Sequence, residues 1–307
     1  MGAPLAMAHS PMVTLVVALL PVALLAVGGA LWGWRRGVAR RFEAGDTARR
    51  PRGADGVVIG AEEFLLAGTN GAAVLLLHGF NDTPQSMRHL AERLHAAGYT
   101  VHVPRLPGHG CALPGLARHA RATQWRRAVA SAYEALGARH SRVFVCGQSM
   151  GGALAAILAA GHREMPAVAL LAPFIGLDPQ LGWKFRLARL SPLPYHRSPG
   201  GERSIHDPEA RRQALGPGVV TARALLALRT VALEAERVLP ALRVPVLYVQ
   251  SVHDNRVSTA FAERHFAAIS ARDKQQIWLS GSGHIISADY ERDVVAERVI
   301  AWFDAHR

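Results

Sequence analysis

Arg142-Val143-Phe144-Val145-Cys146-Gly147-Gln148-Ser149-Met150-Gly151-Gly152-Ala153-Leu154 is the stretch whose reading decides the fold. An apolar run ends at Cys146, the pattern Gly-x-Ser-x-Gly fills 147–151, and an Ala-rich helical stretch follows from Gly152 to Gly161. A strand that turns this sharply into a helix holds the serine in a strained backbone, its hydroxyl exposed at the carboxyl edge of a sheet. Strand and helix approach too closely there for a Cβ, so the flanking residues are glycine. The context carries this reading, because the five-residue pattern by itself is weak in a chain with 29 glycines.

Outward from this elbow, strands and helices alternate. Val57 to Ile59 and Glu63 to Ala67 read as short leading strands, and Ala73 to Leu77 as a buried strand ending in His78-Gly79-Phe80. Thr83-Pro84 is an N-cap with Pro at the first helical position, and Gly98 closes that helix. Met87, Leu90 and Leu94 recur along it at helical spacing. Thr100 to Val103, Ala167 to Leu171, Val244 to Gln250 and Gln275 to Leu279 are further strands. Ala122 to Leu136, Ser258 to Ile269 and Glu291 to Ala305 are helices. Apolar strands alternating with helices predict an α/β fold, a mostly parallel sheet covered on both faces over residues 57–307. One stretch breaks the alternation. Phe174 to about Leu239 holds Pro/Gly-rich segments and then a helical run, and reads as a cap inserted over the site (about 174–239).

Composition narrows the function. The two cysteines, Cys111 and Cys146, cannot build a disulfide framework. There is no C-x-x-C or H-E-x-x-H and the 15 histidines are scattered, so neither a metal nor another cofactor is expected. The formal charge is +12, nearly all from arginine. These basic residues do not interleave with aromatics in a recognition module, which argues against nucleic acid. They gather from Lys184 to Arg237 and, at the N-terminus, in Arg35, Arg36, Arg40, Arg41, Arg49, Arg50 and Arg52.

That second group follows an uncharged run, Met12 to Trp34, long enough to span about 30 Å of hydrocarbon. The expectation is a transmembrane anchor over residues 1–34 and a basic linker over 35–56. With the arginines on the cytoplasmic side, the protein is expected in the inner membrane as a single-pass chain with its globular part in the cytoplasm. The alternative is a cleaved signal peptide and export, with small residues at Ala26 to Ala30 resembling a cleavage site. No basic n-region supports it.

Serine is unreactive unless a base accepts its proton and a third group orients that base. If Ser149 is the nucleophile, an acid and then a histidine should follow it, each just past a strand. Asp254 lies four residues beyond Gln250, and His284 follows Gly281-Ser282-Gly283 after the strand at 275–279. Asp178, Asp289 and Asp293 are the weaker acids, and His109 and His253 the weaker bases. The oxyanion needs two N–H donors: Met150, just after the nucleophile, and Phe80, in the loop after the strand ending at Leu77. The Phe80 ring would line the acyl pocket, with Phe174 and Trp183 of the cap as further pocket candidates. His78 reads as structural, closing its loop through hydrogen bonds.

Leu77-His78-Gly79-Phe80-x-x-Thr83-Pro84-x-Ser86-Met87, followed by Pro104-Arg105-Leu106-Pro107-Gly108-His109-Gly110, resembles bacterial carboxylesterases and monoacylglycerol lipases of the α/β-hydrolase superfamily. Gly147-x-Ser149-Met150-Gly151-Gly152, Gln250-Ser251-x-x-Asp254 and Ser282-Gly283-His284-x-Ile286 fit the same pattern. The resemblance covers about residues 60–305. It implies a cofactor-free hydrolase with a small cap, acting on acylglycerols or similar small-molecule or lipid esters. The chain departs from the pattern at Asn81-Asp82, where small residues are usual, and through the cap. Two other readings stay open on the same residues: an acyltransferase or thioesterase, and a non-catalytic binding protein on a hydrolase fold. Nothing specifies an amine-binding site for a peptidase. Acyl length, head group and oligomeric state are not legible in the sequence.

Overall fold

A computed structural model describes residues 11–178, 185, 187–188, 190–198 and 203–307, with side chains from residue 19 onward. In chain order the elements are α1 (Pro11–Arg49), β1 (Phe64–Leu66), β2 (Ala72–Leu77), α2 (Arg88–Ala96), β3 (Thr100–Val103), α3 (Leu113–His119) and α4 (Ala122–Gly137). The elbow joins β4 (Arg142–Gln148) to α5 (Met150–Gly161), and β5 (Val168–Leu171) follows. Next come β6 (His196–Arg197), α6 (Pro208–Gln213), β7 (Val219–Val220) and α7 (Ala222–Val238). The chain ends with β8 (Val246–Ser251), α8 (Thr259–Ala268), β9 (Lys274–Leu279) and α9 (Arg292–Ala305).

Seven strands form one sheet in the order β1-β3-β2-β4-β5-β8-β9, and β1 alone runs antiparallel to its neighbour. Side chains alternate between two cores, as the strand period of two demands. Ala73, Leu75 and Leu77 face a layer built from α3, α4, α5 and α7, while Ala72, Val74 and Leu76 face α2 and α9. Parallel strands deliver every carboxyl end to the same edge, where residues 78–83, 149, 252–257 and 280–286 gather.

Several expectations need correction. Val57 to Ile59 is not a strand. Val57 and Val58 make only isolated bridges, to Cys111 and Arg52. Helix α3 was not expected. The end of the expected cap, α7, packs on α5 and belongs to the helical layer. Its stripe of Ala224, Ala227, Leu228, Val231, Ala232 and Ala235 is buried in the sheet's core. The small antiparallel pair β6–β7 and helix α6 remain as described parts of the cap.

The N-terminus differs most. Among the described residues, no helix is long and apolar enough to cross a membrane. The spanning helix over residues 12–34 and the single-pass placement in the inner membrane therefore have no support. The expected linker is helical through Arg49 and docks on the domain. Ala39 and Phe42 pack against Leu113, Tyr195 and Val219, and Tyr195 donates to Glu43 at 2.9 Å. Buried Asp46 takes both Arg50 and Arg52, and Arg50 also donates to the Leu215 carbonyl at 3.0 Å. Two arginines of the N-terminal basic group are thus held by a carboxylate.

Candidate active site

Ser149 occupies the turn between β4 and α5 with φ 56° and ψ −117°, left-handed backbone that a non-glycine residue keeps only when its surroundings impose it. The surroundings are tight. A Cβ on Gly147 would lie 2.2 Å from the Gly151 carbonyl oxygen, and one on Gly151 would lie 2.1 Å from that of Leu77. Both positions therefore exclude any larger residue. The Ser149 N–H donates to the Leu171 carbonyl at 2.8 Å, tying the turn to β5.

Asp254 and His284 reach Ser149 from the ends of β8 and β9. His284 Nε2 lies 2.8 Å from Ser149 Oγ, and Nδ1 lies 2.7 Å from Asp254 Oδ2. This line fixes the tautomer: Nδ1–H donates to the carboxylate, leaving Nε2 to accept the hydroxyl proton. Gln250 donates to Asp254 Oδ2 at 2.7 Å, and the Arg256 and Val257 amides donate to Oδ1 at 2.7 and 3.0 Å. Burial works against the Asp254 charge, but His284 and these amides outweigh it and hold the carboxyl below its ordinary range.

The other candidates fall at the same edge. Phe80 follows Gly79, and a Cβ on Gly79 would stand 3.3 Å from Ser149 Cβ. Met150 opens α5, where the leading N–H groups have no intrahelical acceptor. The Phe80 ring meets His109 and Trp125 edge-on, each at 6.1 Å. Phe174 donates its N–H to the Ser149 carbonyl at 3.0 Å and packs on the same core as Phe80. Trp183 lies outside the described residues. His78 Nδ1 bonds the Gly79 carbonyl at 2.9 Å, and Nε2 accepts the Leu106 N–H at 3.1 Å. Among the described residues, no group of His, Cys, Asp and Glu could hold a metal ion.

A serine, histidine and aspartate in this order at the edge of this sheet can be compared with known proteins. The profile of the Hydrolase_4 family, described as serine aminopeptidase S33, matches residues 68–291. The chain belongs to that family.

Within the α/β-hydrolases this Hydrolase_4 member stands with esterases and lipases. It is 31% identical over 255 residues to a thermostable monoacylglycerol lipase of Bacillus sp. (strain H-257), covering 81% of this chain and 97% of the relative. It is 28% identical over 233 residues to a carboxylesterase of Bacillus subtilis (strain 168), covering 76% and 92%. A solved structure from work on LipS and LipT, two metagenome-derived lipolytic enzymes, superposes with a TM-score of 0.74 at 30% identity. That match covers 81% of this chain and 100% of the other.

Around the three residues stands a polar frame that sequence reasoning missed. Asp289, weighed only as a weaker acid, is fully buried and accepts four amides. Gly283 and His206 donate to Oδ2 at 2.7 and 2.8 Å, and Asp207 and Tyr290 donate to Oδ1 at 2.8 and 2.9 Å. It thereby joins the His284 loop to the cap. Glu291 gathers the amides of Ser280, Gly281 and Ser282, and Gln148 donates to the His284 carbonyl at 2.9 Å. Of the remaining weaker candidates, Asp293 pairs with His89 and Arg93 on the surface, and His253 is exposed. His109 is buried beside Phe80, and burial lowers its pKa to about 4. Its Nε2 has no hydrogen-bond partner among the described residues.

Proposed function

We propose that the chain is a carboxylic ester hydrolase working through an acyl-enzyme on Ser149, with acylglycerols or similar lipid esters as substrates. The observation that carries this reading is His284 bridging Ser149 and Asp254 at 2.8 and 2.7 Å. The two bacterial relatives, named as a monoacylglycerol lipase and a carboxylesterase, support ester chemistry.

Ser149 Oγ attacks the ester carbonyl carbon while His284 Nε2 takes its proton. Asp254 keeps Nδ1 protonated and stabilises the imidazolium. The N–H groups of Phe80 and Met150 receive the negative charge developing on the carbonyl oxygen, where removal of one donor costs on the order of 10²–10³ in rate. His284 then protonates the leaving alcohol. Water then attacks the acyl carbon as the same nitrogen takes its proton, and Nε2 returns that proton to Ser149 Oγ as the acyl–oxygen bond breaks and the acid leaves. Phe80 and Phe174 supply the apolar wall for the acyl chain.

The test is labelling with a fluorophosphonate, followed by turnover across acyl lengths and across glycerol, phospholipid and thioester head groups. The reading expects the label on Ser149, hydrolysis of glycerol esters, and loss of both label and turnover in Ser149→Ala. Label on another residue, or a Ser149→Ala variant that keeps most activity, refutes it.

A further inference from the structure

Asp82 is a further buried acid at the site, and the mechanism above leaves it unused. Its carboxylate lies under the loop from Gly79 to Thr83. Oδ1 accepts the Thr83 N–H at 2.8 Å, and Oδ2 accepts the Ser86 hydroxyl at 2.6 Å. At the loop's other end, Oδ2 lies 3.7 Å from where a Cβ on Gly79 would stand, and the Gly79 amide favours the charged form of the acid. One side chain thus ties both ends of a loop whose middle residues are Phe80 and Asn81.

That loop needs holding. Asn81 has φ 60°, in the left-handed region. Thr83, expected to cap the helix that follows, makes no side-chain cap bond. The turn Pro84–Met87 intervenes before α2, and Asp82 brackets its start by accepting the Thr83 N–H and the Ser86 hydroxyl. Keeping a charge in this place is costly. Burial pushes the pKa of Asp82 up to about 6, against the pull of Ser86, the Thr83 and Gly79 amides and His284.

We propose that Asp82 is a positioning residue for acyl transfer: its buried carboxylate clamps the 79–83 loop and holds the Phe80 amide in the direction the oxyanion requires. The proposal rests on the role given to Ser149 above. A protonated Asp82 loses acceptor capacity, so the clamp slackens in acid. His284 faces Asp82 from the catalytic side. On the other side a cavity of about 380 Å³ brings up Arg88, His89 and Glu92 from α2, Asp207 and Glu209 from the cap, and Arg292 from α9. Within this ring Arg292 is bonded to Asp207, and His89 to Asp293.

The experiment measures kcat and KM for hydrolysis of a soluble short-chain ester from about pH 4.5 to 9. Wild type, Asp82→Asn, Ser86→Ala and Ser149→Ala are compared, with thermal unfolding of each. In wild type part of the acid limb of log kcat/KM should come from Asp82, whose protonation slackens the clamp and slows the reaction about 10-fold or more. In Asp82→Asn that part of the limb should be absent, with kcat at neutral pH lowered about 10-fold or more and KM changed far less. Ser86→Ala keeps the carboxylate but removes a donor that favours its charge, so the limb should move to higher pH. A wild-type acid limb and kcat in Asp82→Asn, or an unmoved limb in Ser86→Ala, overturns the proposal. If Asp82→Asn does not fold, the direction of the Ser86→Ala limb decides alone. Retained activity in Ser149→Ala refutes the serine reading instead, which separates the two failures.

Discussion

Asp289→Asn should cost the protein both stability and turnover, and the size follows from four hydrogen bonds. Each oxygen of Asp289 accepts two amides: Asp207 and Tyr290 on Oδ1, His206 and Gly283 on Oδ2. An asparagine offers one acceptor oxygen, so it keeps two of these bonds and turns an NH₂ toward two donors. Hydrogen bonds to charged groups contribute about 1.5–3 kcal/mol each, so losing two costs about 3 kcal/mol at the lower end. For a domain of this size that lowers Tm by about 6–12 °C. Asp289→Ala loses all four and should fall further. Gly283 precedes His284, and a displacement of about 1 Å at a catalytic group costs about 10²-fold. Turnover at Asp289→Asn should therefore fall about 10- to 100-fold at temperatures where the variant is folded. Thermal unfolding by circular dichroism and ester hydrolysis at 25 °C measure the two effects. Asp293→Asn, at an exposed carboxylate in the first turn of α9, is the control and should shift Tm by about 2 °C at most. An Asp289→Asn protein within about 2 °C of wild type and with unchanged kcat would refute the argument.

Other outcomes follow from the same geometry. Ser149→Ala should lower turnover about 10⁴-fold or more while leaving the unfolding transition in place, measured by single-turnover assay and calorimetry. Asp254→Asn should lower kcat about 10⁴-fold, because an amide at Nδ1 no longer enforces the tautomer that leaves Nε2 free; a pH-rate profile on the purified variant reads it. The two acids at the site should act oppositely on stability. Asp254 is held below its ordinary range, so its contribution is present above about pH 4 and is lost as pH falls through the folded-state value. Asp82 is raised to about 6, so wild type loses stability as pH climbs from about 4 to 6. Relative to wild type, Asp82→Asn should therefore gain up to about 3 kcal/mol between pH 4 and pH 7, seen in denaturant melts at both pH values. A gap that does not change with pH would contradict a buried, charged Asp82.

The sequence by itself determined the parts of this protein that local chemistry writes. Gly147 and Gly151 announce the elbow because backbone atoms of β2 and α5 leave no room for a Cβ. Asp254 and His284 are legible because a parallel sheet sends every strand end to one edge, so residues just past β8 and β9 must meet Ser149. Helix α7 was legible as a helix but not as part of the sheet's covering layer. Its apolar stripe says that something is buried against it, not that the partner is α5. The tertiary structure alone decided the frame around the histidine. Asp289 gathers amides from residues 206 and 207, over eighty positions away, and a buried acceptor has no local signature that separates it from a surface aspartate. It also decided the N-terminus, where the docking of residues 35–49 depends on Asp46 meeting Arg50 and Arg52 and on Tyr195 meeting Glu43. Spacing along the chain encodes period and order; which distant amide finds which carboxylate is set only when the chain closes.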